Sequence, residues 1–278
     1  MNLLQRLSFN QMTADPWSLE RAVRNCSTSG IPYIGVWRHK LGGDAEKASA
    51  MIRREGLHVS SLCRGGWFSA PTADERRKRV EDNRLAIEEA ALLGAPVLVI
   101  VSGPANGQTL EDARATVLDG LLAVLPDAEK AGVTLGIEPL HPMYAAERSV
   151  VVTLKQANNL ADKLSSSAAG VVVDVFHVWW DPEVMQQIER AKEKIAGFHV
   201  SDWPVPLPGI LMARAMMGDG VIDLRKLRPS PQLVYASVPG FPGPLLPPVP
   251  GCVLRSCGCN DRAQCQKFPT FRLLFLSG

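Results

Sequence analysis

The chain is 278 residues long and 46% hydrophobic, with 30 basic and 28 acidic side chains giving a formal net charge of +2. This near-neutral balance, spread along the chain, leaves no electrostatic footprint for nucleic acid or an anionic membrane surface, so both partner classes are set aside. The opening residues carry no leader-like apolar stretch, and no window reaches the roughly 18 apolar residues of a membrane span. A cytoplasmic protein is expected, with a length that suits one barrel domain of roughly 250 residues.

From the start to about residue 224, short β-branched runs alternate with longer segments of helical period, the rhythm of repeated βα units on a parallel sheet. Seven strands are predicted: Leu4–Asn10, Tyr33–Trp37, His58–Cys63, Pro96–Ser102, Val133–Glu138, Gly170–Asp174 and Ala196–Val200. The runs 97–101 and 171–173 are apolar without alternation, as expected of strands covered on both faces. Between the strands, Thr72 with Glu75 and Thr153 with Gln156 have capping-box spacing. Asp181-Pro182-Glu183 reads as an N-cap, a first-turn proline and a dipole-favoured acid. In the fourth long helix Leu110, Ala113, Val117, Leu118, Leu121, Leu125 and Ala128 fall on one stripe, which is predicted to pack on the sheet. Gly56, Gly94 and Gly132 stand where helices should end. An open doubly wound sheet would alternate in the same way, but the first strand is not followed by a phosphate-cradling Gly-x-Gly-x-x-Gly. The expected fold is therefore a (β/α)8 TIM barrel.

After Leu227 the pattern collapses. Residues 229–278 hold nine of the 21 prolines, four of the six cysteines and a single acid, Asp261, a composition that excludes helix and central strand alike. The expected organisation is a barrel domain over 1–228, incomplete or altered at its eighth βα unit, and a Pro/Cys-rich irregular tail over 229–278 that reads as out of frame. Cys252, Cys257, Cys259 and Cys265 imitate a zinc knuckle but lack paired Cys-x2-Cys turns. Cys26 and Cys63 read as ordinary buried thiols of a reduced protein.

Of the five histidines, His141, His177 and His199 lie at or just beyond the carboxyl ends of predicted strands five, six and seven, which in a barrel converge on one mouth. Glu138, Asp174 and Asp202 arrive at the same level. Any one strand-end acid is more often a helix cap or an arginine partner, but joint placement on three successive strands favours a site of Glu138, Asp174 and His199. Carboxylate oxygens and imidazole nitrogens suit a divalent ion, with Mn²⁺ expected and Mg²⁺, Co²⁺ or Zn²⁺ as alternatives. His39 and His58 receive no such role, since His58 opens a strand. Trp37, Trp67, Trp179, Trp180 and Trp203 all follow strand ends. Trp37 and Trp67 are expected to offer flat apolar faces to a sugar, and Asp202 is counted with the substrate contacts.

The segments Gly136-Ile137-Glu138-Pro139-Leu140-His141-Pro142, Val173-Asp174-Val175-Phe176-His177, Gly197-Phe198-His199-Val200-Ser201-Asp202 and Met217-Gly218-Asp219-Gly220-Val221-Ile222-Asp223 resemble, in order and spacing, the xylose-isomerase-like superfamily of sugar phosphate isomerases and epimerases. The resemblance covers about residues 4–227. It implies a barrel enzyme in which Glu138, Asp174 and His199 hold a divalent metal, His177 and Arg214 contact the sugar, and Glu138 takes part in proton transfer. The wording around 141–144 and 179–181 is most similar to the α subunits of C-glycoside deglycosidases, which act on 3-oxo-glycosides beside a smaller β subunit. A sugar or glycoside substrate is thus expected, with such a β subunit or a second copy of the chain as partner. The family also places a glutamate on strand eight, and no acid here occupies an equivalent position.

These residues point to proton abstraction beside the carbonyl of a ketose or 3-oxo-sugar, with Glu138 or His141 as base. His141 is favoured for an elimination, because a neutral imidazole can accept and return a proton near pH 7. Two rivals stand beside this reading. One is an inactive barrel subunit or binding protein that has lost the strand-eight glutamate. The other, an apurinic endonuclease-like enzyme, would need more ligands and a basic groove.

Overall fold

The computed structural model describes residues 6–209, 214–227 and 236–237. All its strands are parallel and pair in chain order: β1 (Ser8–Asn10), β2 (Tyr33–Trp37), β3 (His58–Gly66), β4 (Val97–Val101), β5 (Thr134–Ile137), β6 (Ala169–Asp174), β7 (Ile195–His199) and β8 (Ala236–Ser237). β8 also lies against β1, closing the sheet into a barrel. The seven strands expected from sequence all form; six lie within three residues of their predicted bounds, and β1 is confined to Ser8–Asn10, with Leu4 and Gln5 of its predicted span outside the described residues. The eighth is a finding: residues 236–237 join the sheet from within the stretch expected to be irregular, pairing Phe198 with Ala236 and His199 with Ser237. The unit is reduced to that short strand among the described residues. The rest of the 229–278 tail, with its four cysteines, lies outside them.

β4 and β6 are buried along their whole length, one face toward the barrel interior and the other under the helices, which is why their sequences do not alternate. The helices are α1 (Leu19–Thr28), α2 (Ala45–Arg54), α3 (Ala73–Leu93), α4 (Leu110–Ala131), α5 (Leu154–Leu164), α6 (Val175–Val178), α7 (Val184–Ala191) and α8 (Leu224–Leu227). The Thr72/Glu75 capping box is complete, and Thr153 caps α5 through the Gln156 N–H. Gln156 reaches back to the Val152 N–H instead of its own cap residue, at 2.8 Å. Asp181-Pro182-Glu183 departs from expectation: α7 starts two residues later, with Glu183 at the N-cap, and the Asp181 carboxylate accepts the Glu183 N–H at 2.9 Å within the preceding turn. The buried stripe of α4 is as expected except at Leu110, which faces solvent. None of the described helices is long and apolar enough to cross a membrane.

Candidate active site

Three strand ends supply the floor of the site. Glu138 follows β5, its N–H donating to the Ile100 carbonyl of β4 at 3.0 Å. Asp174 ends β6 and caps the short α6, its Oδ1 accepting the Phe176 N–H at 3.0 Å. His199 ends β7, in register with Asp174. All three are buried, and one ligand-type atom from each lies within 4.8 Å of the other two. His199 Nδ1 hydrogen-bonds Glu138 Oε1 at 2.8 Å and stands 3.9 Å from Asp174 Oδ2.

Arg214 ties this floor to its surroundings. Its Nη1 donates to Asp174 Oδ1 at 3.1 Å and to Ser201 Oγ at 3.0 Å, and its Nη2 to His177 Nε2 at 3.0 Å. A guanidinium only donates, so His177 accepts through Nε2 and its neutral ring carries the proton on Nδ1. That nitrogen is buried and has no hydrogen-bond partner among the described residues. Burial drives the His177 pKa down to about 3, with Arg214 opposing a second positive charge against the pull of Asp174. Burial also works against a charged Asp174, but Arg214, His177 and His199 outweigh it and hold the carboxyl at about 2. For His199, burial is overcome by the hydrogen bond and charge of Glu138, and its pKa rises.

Asp202 corrects a sequence expectation. It was placed among the substrate contacts, but its fully buried carboxylate is consumed by backbone: Oδ1 accepts the Trp203 and Ile222 N–H groups at 2.8 and 3.0 Å, and Oδ2 the Gly218 N–H at 2.9 Å. Its own backbone pairs both ways with Ala215, the neighbour of Arg214. Asp202 is thus the knot that presents Arg214. Gly220 is required beside it, since a Cβ there would stand 2.4 Å from both Asp202 Oδ1 and the Trp203 carbonyl oxygen.

Glu138, Asp174, His199, His177, Arg214, Trp37 and Trp67 all face one cavity of about 640 Å³. His141 does not join them. Its ring packs against Trp203 and Trp180, with centroids 5.0 and 5.6 Å away, its Nδ1 accepts the Met143 N–H at 3.2 Å, and burial lowers its pKa. Trp179 joins the same aromatic group through a tilted contact with Trp203, centroids 5.6 Å apart. The Trp37 indole is fixed by its Nε1–H donating to Asn10 Oδ1 at 2.9 Å.

Cavity residues that sequence reasoning passed over include Arg38, Arg64, Arg79, Asp82, Tyr144 and Arg148. The signal for Arg64 was the adjacent Gly65-Gly66 pair at the end of a strand. Asn83 of α3 clamps Gly66 from both sides, accepting its N–H at 2.6 Å and donating to its carbonyl at 2.8 Å. Gly66 adopts φ +99°, and a Cβ there would fall 2.0 Å from the Val101 carbonyl oxygen. The chain turns into the mouth only because that residue has no side chain.

The description of the xylose isomerase-like TIM barrel family matches residues 23–229. Among solved structures, the chain is similar to protein SMc04130 from Sinorhizobium meliloti 1021, at 41% identity over 89% of this chain and 94% of that one, with a TM-score of 0.83. It is similar in fold to the IolI protein with a bound zinc atom, at 21% identity, 85% and 89% coverage and a TM-score of 0.72. The same holds for the 3-keto-D-glucoside 4-epimerase YcjR from E. coli, at 17% identity, 97% and 98% coverage and a TM-score of 0.69. No curated protein matches the chain in sequence.

Proposed function

The chain belongs to the xylose isomerase-like TIM barrel family, and from that premise we propose that it is a divalent-metal-dependent enzyme that moves a proton on the carbon beside the carbonyl of a ketose or 3-oxo-sugar. The carrying observation is the buried convergence of Glu138, Asp174 and His199 on the cavity floor. Two carboxylates and an imidazole suit a divalent ion of the Mn²⁺ or Zn²⁺ type, and the zinc of the IolI neighbour supports such a ligand. The keto-sugar in the name of the E. coli neighbour supports a carbonyl-bearing substrate.

When bound, a divalent ion supplies positive charge against the oxygen charge that develops as the proton leaves carbon. The Glu138 carboxylate takes that proton and delivers it to the neighbouring carbon in an isomerisation, or to the departing group in an elimination, and taking the proton releases His199 Nδ1 from their present hydrogen bond. Arg214, set by Asp202 and braced by Asp174 and His177, aims its remaining N–H edge at sugar oxygens. Trp37 and Trp67 cover the apolar C–H faces and exclude water. Among the described acids lining the cavity, Asp174 is bonded to Arg214 and Asp82 to Arg38, whereas Glu138 is bonded to a histidine and not to an arginine, which supports Glu138 as the base. One base returning a proton to the face it came from favours isomerisation or elimination over two-base epimerisation.

A second reading is favoured by one observation: β8, the strand on which the resemblance placed a glutamate, consists of Ala236 and Ser237, with Ser237 level with His199. On that reading the chain is a metal-binding barrel without turnover. The test is metal content together with solvent deuterium incorporation into ketoses and 3-oxo-glycosides. Near-stoichiometric metal and substrate deuteration are expected. Glu138→Gln should lower exchange about 10²–10⁴-fold, the range of a general base. His141→Ala should retain exchange within a few-fold. Metal without deuteration selects the inactive barrel, and an exchange defect in His141→Ala equal to that of Glu138→Gln returns the base role to His141.

A further inference from the structure

We propose that the cavity holds, beside the floor of Glu138, Asp174 and His199, a subsite for an oxyanion carried by the substrate, a phosphate or a carboxylate, bound by Arg64, Arg148 and Arg79. This rests on the sugar reading above and adds the charge class of the substrate to it.

The charges on the cavity wall do not balance. Five arginines line it, and two of them have acidic partners: Arg38 with Glu89 at 2.6 Å and Asp82 at 3.2 Å, and Arg214 with Asp174 at 3.0 Å. Arg64, Arg79 and Arg148 form no ion pair among the described residues. Glu138, the remaining acid, is bonded to His199 on the floor. Three cations therefore line one concave space, Arg64 and Arg148 half-buried and Arg79 exposed, with no ion-pair partner among the described residues. Burial, followed by repulsion from Arg148 and Arg38, lowers the Arg64 pKa more than Cys63 and Asp82 restore it. Filling the metal site would add further positive charge. An unmatched cluster of this kind is stabilised when an anion enters.

Arg64 is also built to bind one. Its guanidinium carbon sits 3.7 Å from the centroid of the Trp67 ring. Stacking occupies the flat face of the guanidinium and leaves its N–H edge free for paired bonds to an oxyanion. The loop is rigid, since Asn83 clamps Gly66 and Trp67 is held at φ +61°. Arg148 comes from the turn after β5 and acts on Arg64 through its charge, and Arg79 comes from the first half of α3, so three separate elements contribute cations to one cavity wall. A 640 Å³ cavity has room for a phosphorylated or carboxylated sugar spanning floor and wall.

The test is binding without turnover, on metal-free protein, followed by calorimetry and tryptophan fluorescence. The probes are fructose, fructose 6-phosphate, glucuronate and inorganic phosphate. The anionic sugars are expected to bind at least about tenfold tighter than fructose, with inorganic phosphate competing and the preference weakening in salt. Whichever of fructose 6-phosphate and glucuronate binds tighter identifies the oxyanion. In Arg64→Gln and Arg148→Gln the ratio of anionic to neutral affinity should fall toward one. Arg79→Gln, on an exposed helix position, should lower that ratio in a protein whose fold it cannot disturb. Equal affinity for neutral and anionic sugars, or failure of inorganic phosphate to bind, overturns the subsite. Neither outcome touches the metal reading, which stands or falls on metal content and deuterium exchange.

Discussion

His177 is kept neutral where an ordinary histidine would begin to charge, and this has a consequence for the pH dependence of stability. Its folded pKa is about 3 against an ordinary value of 6.5, because burial and Arg214 both resist the cation. Between those values the unfolded chain binds a proton that the folded chain refuses. Stability therefore falls as pH drops from about 6.5 toward 3, by up to about 1.4 kcal/mol per pH unit. Asp174 acts in the same direction lower down: its contribution is complete above the ordinary 3.8 and is lost as pH falls through about 2. His199 acts oppositely, since its raised pKa gives stability present below 6.5 and lost as pH rises through the folded value. In urea titrations of metal-free protein between pH 4 and 7, His177→Gln should flatten the acid limb relative to wild type. An unchanged slope would show that His177 is not the group responsible. At this scale the sequence was legible where residue type and strand end coincided, as at Glu138, Asp174 and His199. It was illegible where the direction of a side chain decided the matter. His141 lies near the same mouth but turns into the Trp180/Trp203 aromatics, and Asp202 turns back on its own loop. Arg148 carries no spacing signal, since a long side chain on a turn is placed by the turn, and Arg64 is marked only by the glycine pair that follows it in β3.

At the scale of the element, the segment from Ser201 to Asp223 shows how one buried carboxylate can organise a loop. Asp202 satisfies three backbone N–H groups, and a charged acceptor shared among them is worth more than neutral pairs would be. Gly220→Ala forces a methyl group into the Asp202 carboxylate, so either the carboxylate or the loop must move. We expect a loss of about 2–3 kcal/mol, the sum of local overpacking and exposed donors. Faster amide exchange at Gly218 and Ile222, read by mass spectrometry beside thermal unfolding, should accompany it. A variant with wild-type exchange at those amides would remove the knot from the account. Arg214 should lose its placement with the loop, so the variant reports on the site as well as on stability. The Met217-to-Asp223 motif was visible in the sequence, but its physical reason was not, because Gly220 and Asp202 are brought together only by the turn between them. The helices were legible wherever a cap had its partner at fixed spacing, as at Thr72 and Glu75. They were less so at Asp181, where the proline served a turn and not the first helical position.

The order of the first seven strands follows from the βα rhythm of the sequence, whereas closure does not: it rests on the short β8, which pairs with β7 and lies beside β1. The eighth strand was hidden by proline on both sides: 236–237 fall inside the short proline-free interval between Pro231 and Pro239. The resulting barrel is uneven. β1 contributes Ser8–Asn10 and β8 only Ala236–Ser237, whereas β3 through β6 are longer and deeply buried. A seam with so few ladder hydrogen bonds should open locally at lower free energy than the opposite wall. The proposed metal ligands lie on β5, β6 and β7, away from β1, so ion binding and seam opening are separable. Saturating Mn²⁺ at about 100 times its dissociation constant should stabilise the folded state by about 2.7 kcal/mol. That gain should appear as slower amide exchange in β5, β6 and β7, and it should vanish in Glu138→Gln. The amides of Ser8–Asn10 should exchange at the same rate with and without the ion, because they open through the seam while the metal site stays closed. If β1 instead gains protection in step with β6, the barrel opens as one cooperative unit, and two residues of β8 are enough to lock it.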